Sequence, residues 1–256
     1  EISECLVGSE MCIRDREKVR TGGRGGGGMS LRYMFFIVLS CLCAGRTYAE
    51  SAGQTPYPEK SRVIIRESEA VVTTGNLTIT NPGSRPWLMQ AWLEDENGVR
   101  EGHVYPEISR LEPVFSRRLL IAPSLSQWRE GREGLNWLVV RLIPSVERDG
   151  RSRLTIPVVL RLKVYLRSRT SGAEQEVPQL TCERRQDGQL MLHNGGLHYV
   201  TLTELKDGQG RLAEGLPLMV APGGQQAAGS GMTVGTYEYG YVDDRGIIHY
   251  GRVMCR

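Results

Sequence analysis

Four histidines, His103, His193, His198 and His249, are the first side chains to test for chemistry. None sits in an H-E-x-x-H array or another metal-ligand spacing. His193 and His198 are near enough in sequence to approach one another across a hairpin, where histidines more often pack or face solvent than bind metal. The six cysteines include no C-x-x-C pair, and no G-x-S-x-G nucleophile elbow occurs. The glycine-rich run from Gly22 to Gly28 lacks the lysine-hydroxyl ending of a phosphate loop. The acids Glu94, Asp95 and Glu96 precede Asn97-Gly98 and read as a solvated turn. Catalysis therefore has little support, no metal or other cofactor is expected, and binding has more. A metal- or redox-active β-sandwich enzyme is the weakest of the readings open.

What does stand out is an apolar row. From Leu154 to Arg167 the chain reads LTIPVVLRLKVYLR, with Leu154, Ile156, Val158, Leu160, Leu162, Val164 and Leu166 at alternate positions. A period of two predicts a β-strand with one apolar face. At roughly 3.3 Å per residue it would run about 46 Å, well beyond the usual strand. Pro157 has no N–H to give, which places that part at an edge or a bulge. Proteins normally blunt a long aliphatic edge, so one left open suggests pairing with another chain by strand addition, or self-association through that edge. An ordinary core strand is the alternative reading.

The elements that must position this strand come from the rest of the chain. Its 256 residues are 40% hydrophobic and 24% charged, as in a globular protein. The net charge of +3 is too small to argue for nucleic acid. Residues 1–28 precede Met29 and read as non-native upstream translated sequence. Residues 29–49 have a positive start at Arg32, an apolar run from Met34 to Ala44 and a small-x-Ala site at Thr47-Tyr48-Ala49. This is the pattern of a secretory signal peptide cleaved near Ala49, and the run is short for a membrane span. Export would leave Cys182 and Cys255 in the mature chain, in a compartment where two thiols can pair.

Beyond residue 60 helical periodicity is nearly absent. Candidate strands are Arg62–Ile65, Asn76–Asn81, Trp87–Glu94, Arg117–Ile121, Asn136–Leu142 and Leu154–Arg167, separated by turn residues such as Asn81-Pro82-Gly83. Ser168–Pro178 is polar and reads as an interdomain hinge. A second set follows: Gln189–His193, Tyr199–Glu204, Leu216–Val220, Thr236–Val242 and Ile247–Met254. The predicted fold is all-β, with two immunoglobulin-like β-sandwich domains at 50–168 and 169–256.

Five segments in order resemble the periplasmic pilus-assembly chaperones of the PapD-like family. They are Asn81–Gly98 (NPGSRPWLMQAWLEDENG), Arg110–Pro113 with Arg117–Ile121, Arg132–Trp137 ending in Ile143-Pro144, Lys163–Arg167, and Asn194–Thr201 (NGGLHYVT). The chain departs from the family at Gly134 and Asn136, in place of Ser and Phe, at Tyr165-Leu166, at Ser168, and at Gly195-Gly196. The short stretch between Pro144 and Leu154 resembles the family's short-loop branch.

The resemblance implies two domains joined at an angle, pilin subunits and an outer-membrane usher as partners, and no enzymatic activity. It also implies donor-strand complementation, in which an edge strand fills the groove of a pilin that lacks its last strand. Leu154, Ile156, Val158 and Leu160 would be the donor side chains; Leu162, Val164 and Leu166 would serve the chain's own core. Arg62 and Lys163 would hold the pilin's C-terminal carboxylate, with Arg66 as the rival to Arg62. Glu133, Arg167 and Asp244 would form an interdomain salt bridge, with Asp243 as the rival to Asp244. A disulfide between Cys182 and Cys255 is expected to join the first and last strands of the second domain. The alternative function is a secreted immunoglobulin-like adhesion or structural module.

Overall fold

The computed structural model describes residues 55–67, 73–146, 154–171, 177–229 and 233–256, within one compact unit, Thr55–Arg256. The predicted upstream and signal segments lie outside the described residues, as do most of the stretch between Pro144 and Leu154 and part of the predicted hinge. Among the described residues no helix is long and apolar enough to cross a membrane.

Among the described residues, nine strands build the first half: β1 (Tyr57–Pro58), β2 (Arg62–Arg66), β3 (Gly75–Asn81), β4 (Trp87–Glu94), β5 (His103–Tyr105), β6 (Ile108–Leu111), β7 (Phe115–Ala122), β8 (Gly134–Pro144) and β9 (Val158–Arg167). They form a four-stranded sheet in the order β1-β3-β7-β5 and a five-stranded sheet in the order β2-β9-β8-β4-β6. Alternation decides which side chains meet. Leu77, Ile79, Leu119 and Ile121 of the first sheet pack on Met89, Ala91, Leu138, Val140, Leu142, Leu162, Val164 and Leu166 of the second. This is a sandwich core.

The other strands are β10 (Leu180–Arg184), β11 (Leu190–Asn194), β12 (Val200–Lys206), β13 (Leu218–Val220), β14 (Gln225–Ala228), β15 (Gly235–Val242) and β16 (Ile248–Cys255). They make one seven-stranded sheet, β13-β12-β15-β16-β10-β11-β14. Val220 at one edge and Ala228 at the other share a core with Leu190, Leu202, Tyr237 and Val253, so the sheet curls around its own interior. The protein is an all-β chain built of β-sandwich units.

The sequence missed β1, β5, β6, β10 and β14, which are short or rich in polar residues. It also overextended β9, whose ladder begins at Val158 rather than Leu154. The reason lies in both strands of the pair. Val158 stands opposite Leu142, near the end of β8 at Pro144, and Pro157 offers no N–H to extend the pairing. The polar segment after β9 opens as a tight 3-10 turn, Arg169–Ser171, with Ser171 buried.

Candidate functional site

The site grows from an asymmetry along β9. Val158–Leu166 pairs with β8, but only Lys163–Arg167 pairs with β2, in parallel. Among the described residues no strand lies on that side of Val158–Leu162, so the first half of β9 is an open edge and the second half is internal. A single long edge strand, as the sequence suggested, is thus only half correct. Exposure follows the same division. Leu154 is 88% exposed and Ile156 66%; Val158 and Leu160 lie half-buried on the margin of the core; Leu162, Val164 and Leu166 lie inside it. The row therefore passes gradually from solvent to core, with no break after Leu160.

The open slot has a defined end. Glu59–Ser61 carries the chain from β1 in one sheet to β2 in the other, and Arg62 enters β2 opposite Lys163. Val63 and Ile65 face the core, so Arg62 and Lys163 share the outer face. Arg62 is 9% exposed. Its Nη1 donates to the Val242 carbonyl at 3.3 Å, and its guanidinium lies 6.0 Å from the Tyr165 ring centroid. Its Nε is buried with no hydrogen-bond partner. Lys163 Nζ donates to Thr201 Oγ1 at 2.9 Å. Burial, and then the charge of Arg62, push the Lys163 ammonium down to about 8. Among the described residues no carboxylate stands within ion-pair distance of either cation. Two cations held together in a half-dry cleft can bind one carboxylate.

Arg66, the alternative to Arg62, lies at the far end of β2, where its Nη2 is 4.0 Å from Asp244 Oδ2. Asp244 belongs to a second cluster. Arg167, 2% exposed, donates from Nε to Glu133 Oε1 at 2.7 Å, and from Nη1 and Nη2 to the two Asp244 oxygens at 2.6 Å each. Glu133 Oε2 accepts the Tyr199 N–H at 2.8 Å, and the Glu133 N–H donates to the Leu197 carbonyl at 2.8 Å. Burial pushes the Glu133 carboxyl up to about 7, against the pull of Arg167 and of the Tyr199 N–H. Asp243 instead holds its own turn and pairs with His249 at 2.9 Å. A disulfide joins Cys182 of β10 to Cys255 of β16, neighbours in a parallel pairing.

Most of the residues that surround these groups stand in the family-like segments, but sequence reasoning gave them no role. Tyr165 and Tyr199 lie with ring centroids 5.9 Å apart and form a small buried cluster with Leu135, against which Ile64, Trp137, Met219 and Ala221 pack. The cluster joins the outer face of β8 and β9 to the β12–β13 region. The sequence predicts one apolar face for β9, but the other face too is buried at Tyr165 and Arg167. Thr201, which orients Lys163, closes the family-like segment Asn194–Thr201 but had no role there; a threonine in a strand is ordinary. Gly134 does have a local reason: a Cβ there would lie 2.6 Å from the Gln127 carbonyl oxygen.

Comparisons with known proteins agree with the fold. Residues 57–170 match the model of the pili and flagellar-assembly chaperone, PapD N-terminal domain. Protein FasE of Escherichia coli is 35% identical over 136 residues, which is 52% of this chain and 99% of FasE. Chaperone protein FimC of Escherichia coli O6:H1 is 29% identical over 219 residues, 80% of this chain and 86% of FimC. A chain of the Salmonella enterica complex of SafA pilin with the SafB chaperone superposes with a TM-score of 0.68 at 20% identity, covering 78% of this chain and 96% of that one. The periplasmic chaperone SfaE gives a TM-score of 0.63 at 24% identity, covering 78% and 100%. At these identities the solved structures speak for the fold.

Proposed function

The chain belongs to the PapD-like family of pilus-assembly chaperones, and we propose that it holds fimbrial subunits by lending them the open half of β9 and delivers them for pilus assembly. The observation that carries this reading is the slot beside Val158–Leu162. A strand laid there parallel to β9 continues the line of β2 backwards, and its C-terminal end arrives at Arg62 and Lys163. Main-chain ladder bonds supply pairing, and the two cations fix where the strand stops, hence its register.

Leu154, Ile156, Val158 and Leu160 are the donor side chains in this reading. Leu154 and Ile156 are the most exposed, so their burial on a partner gains most, roughly 1.5–3 kcal/mol each before ordering costs. Glu133, Arg167 and Asp244 hold the two β units at their working orientation. The protein acts in the periplasm after cleavage near Ala49, passes its cargo to an outer-membrane usher, and carries out no catalysis; folding of the subunit on the strand supplies the driving force.

The test is co-expression of residues 50–256 with a pilin that lacks its last strand. A stoichiometric complex is expected, and it should be lost in both Arg62→Ala and Lys163→Ala. Recovery of the pilin with both variants would overturn the carboxylate anchor. Failure of any such pilin to co-purify favours an adhesion or structural module.

A further inference from the structure

The open slot has two faces. On one, Val158, Leu160 and Leu162 turn to the core; on the other, Val159 and Arg161 turn outward. Arg161 is held in place there. Its guanidinium lies 4.4 Å from the Trp137 ring centroid, and its Nη2 is 3.6 Å from Glu94 Oε2. Glu94 is fixed in turn, because its Oε1 accepts Trp92 Nε1–H at 2.7 Å. The register explains the grouping. Trp92, Val139 and Arg161 form one row across β4, β8 and β9, and Glu94, Trp137 and Lys163 form the next. Val139, between Trp92 and Arg161, is 4% exposed although it lies on the outer face. Arg161 is therefore a planar donor fork, pre-set at the open edge, two residues before Lys163 on the same face.

The charge around it is mainly positive. Arg141 and Lys163 share this face, and Arg100 lies 4.3 Å over Trp92. Glu94 is the acid among them, and Trp92 and Arg161 already engage it. We infer that Arg161 selects a carboxylate side chain, Asp or Glu, at the outward-facing position of the incoming strand beside it. This rests on the reading of β9 as a lent strand, since it is that strand which brings a side chain alongside Arg161. Opposite charges directly across neighbouring strands attract and like charges repel. An acid over a neutral residue should gain about two- to five-fold in affinity, and an acid over a lysine more.

The test uses twelve-residue peptides alternating Val and Thr and ending in a free carboxylate, with Glu, Gln, Lys or Phe moved through the last four positions. Binding to the mature chain is read by fluorescence anisotropy, for the wild type and for Arg161→Gln, after checking that the two melt together. Glu is expected to exceed Lys by at least about five-fold at the one outward-facing position beside Arg161, and the difference there should vanish in Arg161→Gln. An unchanged preference in that variant overturns the inference. So does a preference equal at consecutive positions, which is a diffuse field, or a preference for Phe that is lost with Arg161, which is ring stacking. Peptide amides separate the two claims. If amides bind as well as acids, the carboxylate anchor fails, while the Arg161 comparison still stands on its own. If no peptide binds, the open slot itself is refuted and the inference with it.

Discussion

Arg62 stands opposite Lys163 in the parallel pairing of β2 with β9, so two like charges are held side by side at the closed end of an open strand slot. Their repulsion is part of what depresses the Lys163 ammonium. A pair that costs the free protein energy should be missed by the ligand and not by the fold. Lys163→Ala is expected to abolish binding of a free C-terminal carboxylate while leaving the thermal midpoint of the free chain unchanged or slightly raised. Calorimetry on the variant, with peptide acid and peptide amide, checks both halves.

The same pair sets a pH dependence. Lys163 titrates at about 8 in the free protein, below its ordinary 10.5. A bound carboxylate stabilises the ammonium and raises that value. Affinity is then constant below about 8, where the free protein already carries the charge. It declines as pH rises above 8, because binding must take up a proton. Titrations at pH 7 and pH 9.5 should show weaker binding at the higher pH, and a Lys163→Arg variant should show no such loss.

Glu133, paired with Arg167, gives the stability of the fold a pH dependence of the same sign in a lower window. The Glu133 carboxyl is raised to about 7 from its ordinary 4.5, so the folded chain keeps a proton that the unfolded chain has lost. Stability contributed by this group is present below 4.5 and falls as pH rises through 7. Urea denaturation of the wild type against Glu133→Gln is expected to show the wild type losing ground between pH 5 and pH 7.5. Removing Arg167 strands a buried acid, a loss of about 3–5 kcal/mol when that acid is charged. The loss should shrink at pH 5, where Glu133 can take a proton.

How much of this was legible follows from the physics of each signal. Trp87–Glu94 was read to the residue, because Trp87, Met89, Ala91 and Leu93 alternate cleanly into the core. β9 was found by the same alternation but given four residues too many at its start, because apolar periodicity continues past the point where a ladder partner exists. Burial on the second face of β9 was invisible, since it depends on Tyr199 and Thr201, 34 and 38 residues beyond Tyr165 and Lys163 and in the other half of the chain. The positions of Arg62, Lys163 and Arg167 were named through family resemblance; no spacing rule joins Arg62 to a lysine 101 residues later. Arg161 was quoted only as a member of a strand, and Trp137 as that and as the end of the Arg132–Trp137 segment; neither had a role, because stacking is a relation between strands.

Asn81 and Asn194 show a repeated device that the turn signals only hinted at. Both are fully buried. Asn81 Nδ2 donates to the Arg85 and Glu112 carbonyls at 2.8 and 2.9 Å, and its Oδ1 accepts the Gly83 N–H at 3.1 Å. Asn194 Nδ2 donates to the His198 and Val220 carbonyls at 2.8 and 3.2 Å, and its Oδ1 accepts the Gly196 N–H at 3.0 Å. Each ties a loop to a neighbouring strand. Replacing either by Ala leaves several buried backbone groups unpaired and is expected to cost at least about 2 kcal/mol, measured by chemical denaturation. Asp is a sharper probe: it keeps the acceptor for the glycine N–H and loses both donors, so it should be at least as damaging as Ala.

Leu154 and Ile156 allow binding to be separated from folding. At 88% and 66% exposure they contribute little to the core, whereas Leu162 at 5% belongs to it. Leu154→Ser with Ile156→Ser is therefore expected to leave the denaturation midpoint of the free chain within about 0.5 kcal/mol of wild type. Leu162→Ala should instead cost about 2–5 kcal/mol. On a subunit the order reverses. The double serine variant should lose most of its complex yield in co-expression, since two aliphatic side chains no longer fill the partner's groove. Val158 and Leu160, half-buried at the core margin, should show both effects at once. A double variant that folds normally and still recovers the subunit at wild-type yield would place the donated strand elsewhere. The next element to test would then be the neighbouring face at Val159 and Arg161.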